Sequence, residues 1–251
     1  MIRGSDFGTN FEVKLFMSIA AILICLYDWK KKDRLDYFYV FITGTIIWST
    51  VELILQFTGT RIIPNKLLFG IPIPLILSIP LQGISEGAAI AIYGLFGADN
   101  LIDEETRTQT LIIFAALMGG LFTYWIFTSG PNFAYVGLFV PSRRDMFTVA
   151  AVVFLGAMLA IDGYLFIKAE SGIKKRAFYL TIVMIIFAAI WTLAEWIAGG
   201  RWIETGVYPL LRRATPLIEF GALAWDVIVE ISLAYVPYLA IPYLLGLIKE
   251  N

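Results

Sequence analysis

The chain has 251 residues, of which 59% are hydrophobic and 16% charged, with a mean hydropathy of +0.79. This balance excludes a soluble domain that hides its apolar side chains in one core, and it implies a lipid bilayer as the protein's solvent. Lys and Arg number 19 against 20 Asp and Glu, so no basic excess points to nucleic acid or to a strongly anionic partner. A single cysteine, Cys25, and no histidine exclude internal disulfides, His-ligated haem, Cys/His zinc sites and histidine-based triads.

A spanning helix needs about 20 apolar residues, and seven apolar segments read as transmembrane helices of an all-α integral membrane protein. They run from about Leu15 to Trp29, Tyr37 to Phe57, Leu67 to Leu95, Thr110 to Thr128, Phe147 to Ile167, Phe178 to Ala198 and Pro216 to Ile248. The first is short, but its basic cluster (Lys30, Lys31, Lys32, Arg34) follows the apolar run instead of preceding it, which marks a retained helix and not a secretory signal. The third contains Pro72, Pro74 and Pro80, and the seventh Pro216, Pro237 and Pro242. Both are therefore expected to be kinked or partly broken, and broken membrane helices face protein or a cavity. The tightest basic clusters, Lys30 to Arg34 and Lys168 to Arg176, fall on one side of the membrane, together with an acidic loop from Gly97 to Glu105. That side is expected to be cytoplasmic, with the N-terminus outside the cell membrane.

Sliding the chain by 143 residues aligns Lys31, Lys32, Val40, Ile42, Ile47, Trp48, Glu52 and Ile54 with Lys174, Lys175, Val183, Ile185, Ile190, Trp191, Glu195 and Ile197. Further on, Pro74 and Glu86 correspond more loosely to Pro216 and Glu230. The second helix maps on the sixth, so the halves point the same way. The expected organisation is one transmembrane domain in a parallel 3+1+3 arrangement, with repeat A over about 11–96, a linker helix over about 108–130 and repeat B over about 145–248.

Ionisable groups inside a span cost about 2.5–3.5 kcal/mol on insertion scales, so each is a functional candidate. Here they are all acidic: Glu52, Glu86, Asp162, Glu195, Asp226 and Glu230, with Asp28 and Glu219 nearer helix ends. No Lys or Arg stands deep in a predicted span to pair with them, which suits them to proton transfer or hydrogen-bond donation. Glu86, Asp226 and Glu230 are expected to line a central polar pocket between the third and seventh helices. Glu52 and Glu195 lie one turn from helix ends, which leaves open a plainer role: reaching the interface beside Arg61 and Arg201. Asp162 reads as interfacial. Trp48, Trp191 and Trp225 adjoin carboxylates and are expected to wall the pocket, where aromatic faces would bind a cation or stabilise a carbocation. The last span has no lysine for a retinal Schiff base, and no P-loop or Asp-rich metal motif is present, so neither metal nor cofactor is expected.

The string Glu52-Leu-Ile-Leu-Gln-Phe-Thr58-Gly59 resembles the membrane proteins of carotenoid biosynthesis that hydrate carotenoid ends. The stretch Ile71-Pro-Ile-Pro-Leu-Ile-Leu-Ser-Ile-Pro-Leu81, followed by Glu86, resembles the lycopene cyclase domain, whose duplicated helices carry proline and glutamate. The chain departs from the first family over Arg61 to Phe69, and it has Pro80-Leu81-Gln82 where the cyclase pattern has an adjacent acidic pair. The resemblance implies cofactor-free acid/base chemistry on an isoprenoid double bond, with Glu52 and Glu86 as the acidic positions.

Three functions remain open at this level. Buried acids suit an enzyme or binder of a hydrophobic, isoprenoid-like molecule, a proton- or cation-coupled carrier of SWEET-like layout, or a non-catalytic membrane subunit whose acids pair with a partner. Few amides stand in the spans, chiefly Gln56 and Gln82, which favours a hydrophobic substrate over a water-lined solute path. An oligomer or a partner subunit in the bilayer stays open.

Overall fold

A computed structural model describes residues 2–3, 11–63, 66–129, 143–144, 148–198, 202–204 and 211–249. The described residues are mostly helical. Helix α1 spans Phe11–Lys32, α2 Asp36–Phe57, α5 Glu104–Ser129, α6 Val149–Lys168 and α7 Ser171–Ala198. The third helix is a composite: α3 (Leu75–Gln82), a π-helical stretch π1 (Gly83–Ala89) and α4 (Ile90–Ile102). The last is another: α8 (Pro216–Trp225), π2 (Asp226–Ser232), a 3-10 turn over Leu233–Tyr235, and α9 (Val236–Leu244).

Among the described residues, five helical stretches are long and apolar enough to cross a membrane: Asp36–Phe57, Leu75–Ile102, Val149–Lys168, Ser171–Leu193 and Pro216–Leu244. Many large side chains on them face outward, among them Ile46, Ile76, Val153, Ile186 and Leu217. Exposed apolar surface of this extent fits a lipid environment. Helix α1 is 22 residues long, but Glu12, Lys14, Asp28 and the closing lysines interrupt its apolar run.

Two expected boundaries are corrected. The apolar run from Leu67 does not enter the helix at once: Leu67–Leu68 (β3) and Ile71–Pro72 (β4) form a two-stranded hairpin. Phe69 and Gly70 both have positive φ at its turn, and Pro74 caps the helix that starts at Leu75. At the other end, the segment expected to be a loop from Gly97 remains helical to Ile102, with Asp99 inside the bundle. The third and seventh helices are interrupted at the π stretches and, in the last, also at the 3-10 turn just before Pro237. Pro80 and Pro242 sit within helix, while Pro74, Pro216 and Pro237 stand at helix starts.

A small antiparallel sheet lies outside the helices in order β2-β5-β1-β6-β7, with β1 Ile2–Arg3, β2 Arg61–Ile62, β5 Arg143–Arg144, β6 Trp202–Glu204 and β7 Leu211–Arg213. Its central strands β1 and β5 pair with each other, and each then pairs with a strand from the opposite half of the chain, β6 and β2. The sequence patterning, dominated by long apolar helices, gave no signal for these two- and three-residue strands.

The core joins α1, α2, α4, α7 and α9 through Ala21, Cys25, Tyr37, Val40, Leu95, Leu180, Met184 and Leu239. Close approach of α2 to π1 depends on glycine. A Cβ on Gly83 would stand 2.8 Å from Ser49 N and 2.9 Å from Thr45 O, and one on Gly87 would stand 2.5 Å from Trp48 Cβ and 2.6 Å from Gly44 O. Backbone cannot yield as a flexible side chain does, so Gly83→Ala or Gly87→Ala should cost about 1–3 kcal/mol by overpacking. At Gly94 the nearest atoms are the flexible tips of Met184 and Leu180. Thermal unfolding in detergent should therefore rank Gly83→Ala and Gly87→Ala well below Gly94→Ala.

Candidate functional site

Four charged side chains converge near one end of the bundle. Lys14 of α1 donates from Nζ to Glu86 Oε1 at 2.7 Å. Arg61, in β2 just beyond α2, donates from Nη1 to Glu52 Oε2 and Glu86 Oε2, both at 2.8 Å, and from Nη2 to Glu86 Oε1 at 3.0 Å. Gln82 Nε2 donates to Glu86 Oε1 at 2.7 Å, and Gln56 Nε2 to Glu52 Oε1 at 2.6 Å. Lys14 and Glu52 are both 0% exposed. Two cations thus face two carboxylates, and every charge has a hydrogen-bonded counterpart, the condition for burying ions without a large penalty. Burial disfavours the Arg61 charge, yet Glu52, Glu86 and the more distant Glu230 hold its pKa above the ordinary arginine value.

Neither cation stands deep in a predicted span: Lys14 just precedes the first apolar run and Arg61 follows the second. Lys14 lies on the same buried face of α1 as Phe11, Ser18, Ala21 and Cys25, and that phase was the available signal. Arg61 returns toward the helices because Gly59, at φ +69°, reverses the chain after α2. Glu52 does lie beside Arg61, as its plainer role required, but the pair is buried.

Beside the network lies a partly open cleft walled by Trp48, Val51 and Leu55 of α2, by Ala151, Phe154 and Leu155 of α6, and by Trp225, Glu230 and Ala234 of the last composite helix, with Thr60 completing the lining. Trp48 is fixed from both sides, stacked on Tyr235 (centroids 6.5 Å apart, planes at 23°) and edge-on to Phe154 at 6.2 Å. The Tyr235 hydroxyl in turn donates to the Glu86 carbonyl, tying the aromatic wall to the ionic network. Thr60 Oγ1 donates to Thr148 Oγ1 at 3.2 Å, joining the end of α2 to the start of α6.

The residues singled out from the sequence separate accordingly. Trp48, Trp225 and Glu230 line the cleft, whereas Glu52 and Glu86 belong to the ionic network behind it. Asp226 is buried at the first position of π2. Trp191 is stacked on Phe187 at 6.0 Å and is not among the residues lining the cleft. The Glu195 side chain and Arg201 lie outside the described residues. Asp162, expected at the interface, is instead buried, and neither carboxylate oxygen has a hydrogen-bond partner.

A second network closes the opposite end. Arg34, between α1 and α2, binds Asp28 through Nε at 2.6 Å and Asp99 through Nη2 at 2.8 Å. Arg176 of α7 binds Asp99 at 2.8 and 2.9 Å and Asp36 at 2.8 Å. Burial opposes the Arg34 charge, but its bond to Asp28 and the nearby Asp99 hold its pKa above the ordinary value. Asp99 thereby clamps the α1–α2 turn to the start of α7.

Compared with family models, curated proteins and solved structures, the chain matches none.

Removing one partner of a buried ionic network strands the others, at about 3–5 kcal/mol. Arg61→Leu, which leaves Glu52 and Glu86 facing Lys14 alone, should lower the melting temperature markedly in detergent. Adding Glu52→Gln to Arg61→Leu should recover part of the loss, and purely additive losses would contradict the coupling.

Proposed function

We propose that this multi-pass membrane protein binds a hydrophobic, isoprenoid-like molecule in the cleft and acts on it by acid/base chemistry through Glu230. The observation that carries the reading is the lining itself: two indoles, one phenyl ring and aliphatic side chains around a single carboxylate. Such a surface desolvates an apolar ligand, and its aromatic faces stabilise positive charge that develops when a double bond is protonated. Glu230 is the group that gives or takes the proton. Glu52 and Glu86, engaged by Arg61 and Lys14, hold α1, α2 and the third helix around the cleft.

The architecture we propose for this function is seven membrane-crossing helices in a parallel 3+1+3 duplication. Several features support it. The two π stretches, Gly83–Ala89 and Asp226–Ser232, are related by the same 143-residue shift that aligns Trp48 with Trp191. Packing is reciprocal, since α2 contacts π1 and α9 while α7 contacts π2 and α4. Strand pairing exchanges between the halves in the same manner, β1 with β6 and β5 with β2. The lysine-rich turns lie at the Asp99 end, which we assign to the cytoplasm, leaving the sheet and the N-terminus outside.

Two experiments test these readings. In a Cys25→Ala background, cysteines introduced at Lys31 and Lys174 should both react with a membrane-impermeant reagent applied from the cytoplasmic side; labelling from opposite sides rejects the parallel duplication. Organic extracts of gently purified protein, read by mass spectrometry, should contain a long lipophile that Trp48→Ala loses and Glu230→Gln retains unconverted. Empty extracts together with proton-driven solute uptake into proteoliposomes would reject the enzyme and support a carrier.

A further inference from the structure

The cleft is walled by three helices that pack on one another, α2, α6 and the last composite helix. Their directions are fixed by two hydrogen bonds. Thr60 meets Thr148, so the end of α2 adjoins the start of α6, and the Glu170 N–H donates to Tyr243 Oη at 3.3 Å, so α6 and α9 finish together. Going from the sheet end toward the Asp99 end therefore means descending numbers on α2 and ascending numbers on the other two.

Followed inward along the faces that line the cleft, each wall reaches a buried polar group without a partner. On α2 the face Leu55, Val51, Trp48 carries the Trp48 indole, whose Nε1–H is buried and unbonded. On α9, Tyr238 follows Ala234 by one turn; it is 0% exposed and its hydroxyl is unbonded. On α6 the face Ala151, Phe154, Leu155 continues through Met158 to Asp162, about 10 Å farther along the axis, 5% exposed and with both oxygens unbonded. Buried polar atoms are ordinarily bonded, and each one left unbonded lowers stability, so three on converging faces call for an occupant. Met158, flexible and easily displaced, is the side chain between the cleft and Asp162.

We propose that Tyr238 and Asp162 form a polar seat at the inner end of the cleft, and that the ligand is a long lipophile carrying a hydroxyl or carbonyl on its leading end. A hydroxyl there accepts from the Tyr238 O–H and donates to Asp162, while the hydrocarbon tail lies between Trp48, Phe154 and Trp225. This inference rests on the cleft reading and names the class of molecule that the cleft takes.

The test compares binding of geranylgeraniol with binding of the matching hydrocarbon lacking the hydroxyl, using purified protein in detergent, with Trp48→Ala as the background for micelle partitioning. The alcohol should bind at least about tenfold tighter, the scale of one well-made buried hydrogen bond. Asp162→Leu and Tyr238→Phe should each reduce the alcohol to the affinity of the hydrocarbon and leave hydrocarbon binding unchanged. Asp162→Leu should also melt higher than the parent protein, because it replaces an unbonded buried carboxyl with an apolar group. Equal binding of the two probes, alcohol binding that survives both substitutions, or a lower melting temperature for Asp162→Leu would each overturn the seat while leaving the cleft standing. Absence of any binding above the Trp48→Ala background would reject the cleft and the seat with it.

Discussion

Charge in an apolar medium must be neutralised locally, and the arrangement of this protein follows from how that is done around Glu86. One carboxylate accepts from Lys14, Arg61 and Gln82, and through Arg61 it is joined to Glu52. These contacts draw α1, α2, the strand after α2 and the third helix to one point. No hydrophobic contact could do this with the same specificity, because lipid competes for apolar surface but offers nothing to a buried ion. The cost of separating any member is what fixes the relative positions of four elements.

The π stretches give the network and the cleft their geometry. A π turn shifts the helical register by a residue, and such turns concentrate at functional positions. In the first, Glu86 is brought toward Arg61 and Lys14 while Gly83 and Gly87 let α2 approach to backbone contact. In the second, Asp226 begins the stretch and Glu230 lines the cleft. Prolines were the visible irregularities of both helices, yet they stand at helix starts or are absorbed within regular helix.

The opposite end is held by a different set of charges. Asp99 receives both Arg34 and Arg176, one from each half of the chain, and Arg176 also reaches Asp36. Both ends of the bundle are thus tied by ion networks, and the aromatic cleft lies toward the sheet end.

Composition and periodicity alone determined that this is a helical membrane protein, because each span must satisfy its own backbone and cover itself with apolar side chains, a requirement written locally in the sequence. The acids that matter were legible for the same reason: Glu52, Glu86 and Glu230 are conspicuous in apolar runs. Their partners and their division of labour were not. Lys14 stands just before the first apolar run and Arg61 beyond the end of the second, and only the tertiary fold brings them to 2.7 and 2.8 Å from Glu86. Trp48 and Trp191 occupy equivalent places in the sequence, yet one walls the cleft and the other stacks on Phe187. Asp162 reads from the sequence as a residue near a helix end; its burial without a partner depends on which face of α6 meets α9. Pairing and exposure are properties of packing between distant segments, and that packing alone decided which acids are neutralised and which face the cleft.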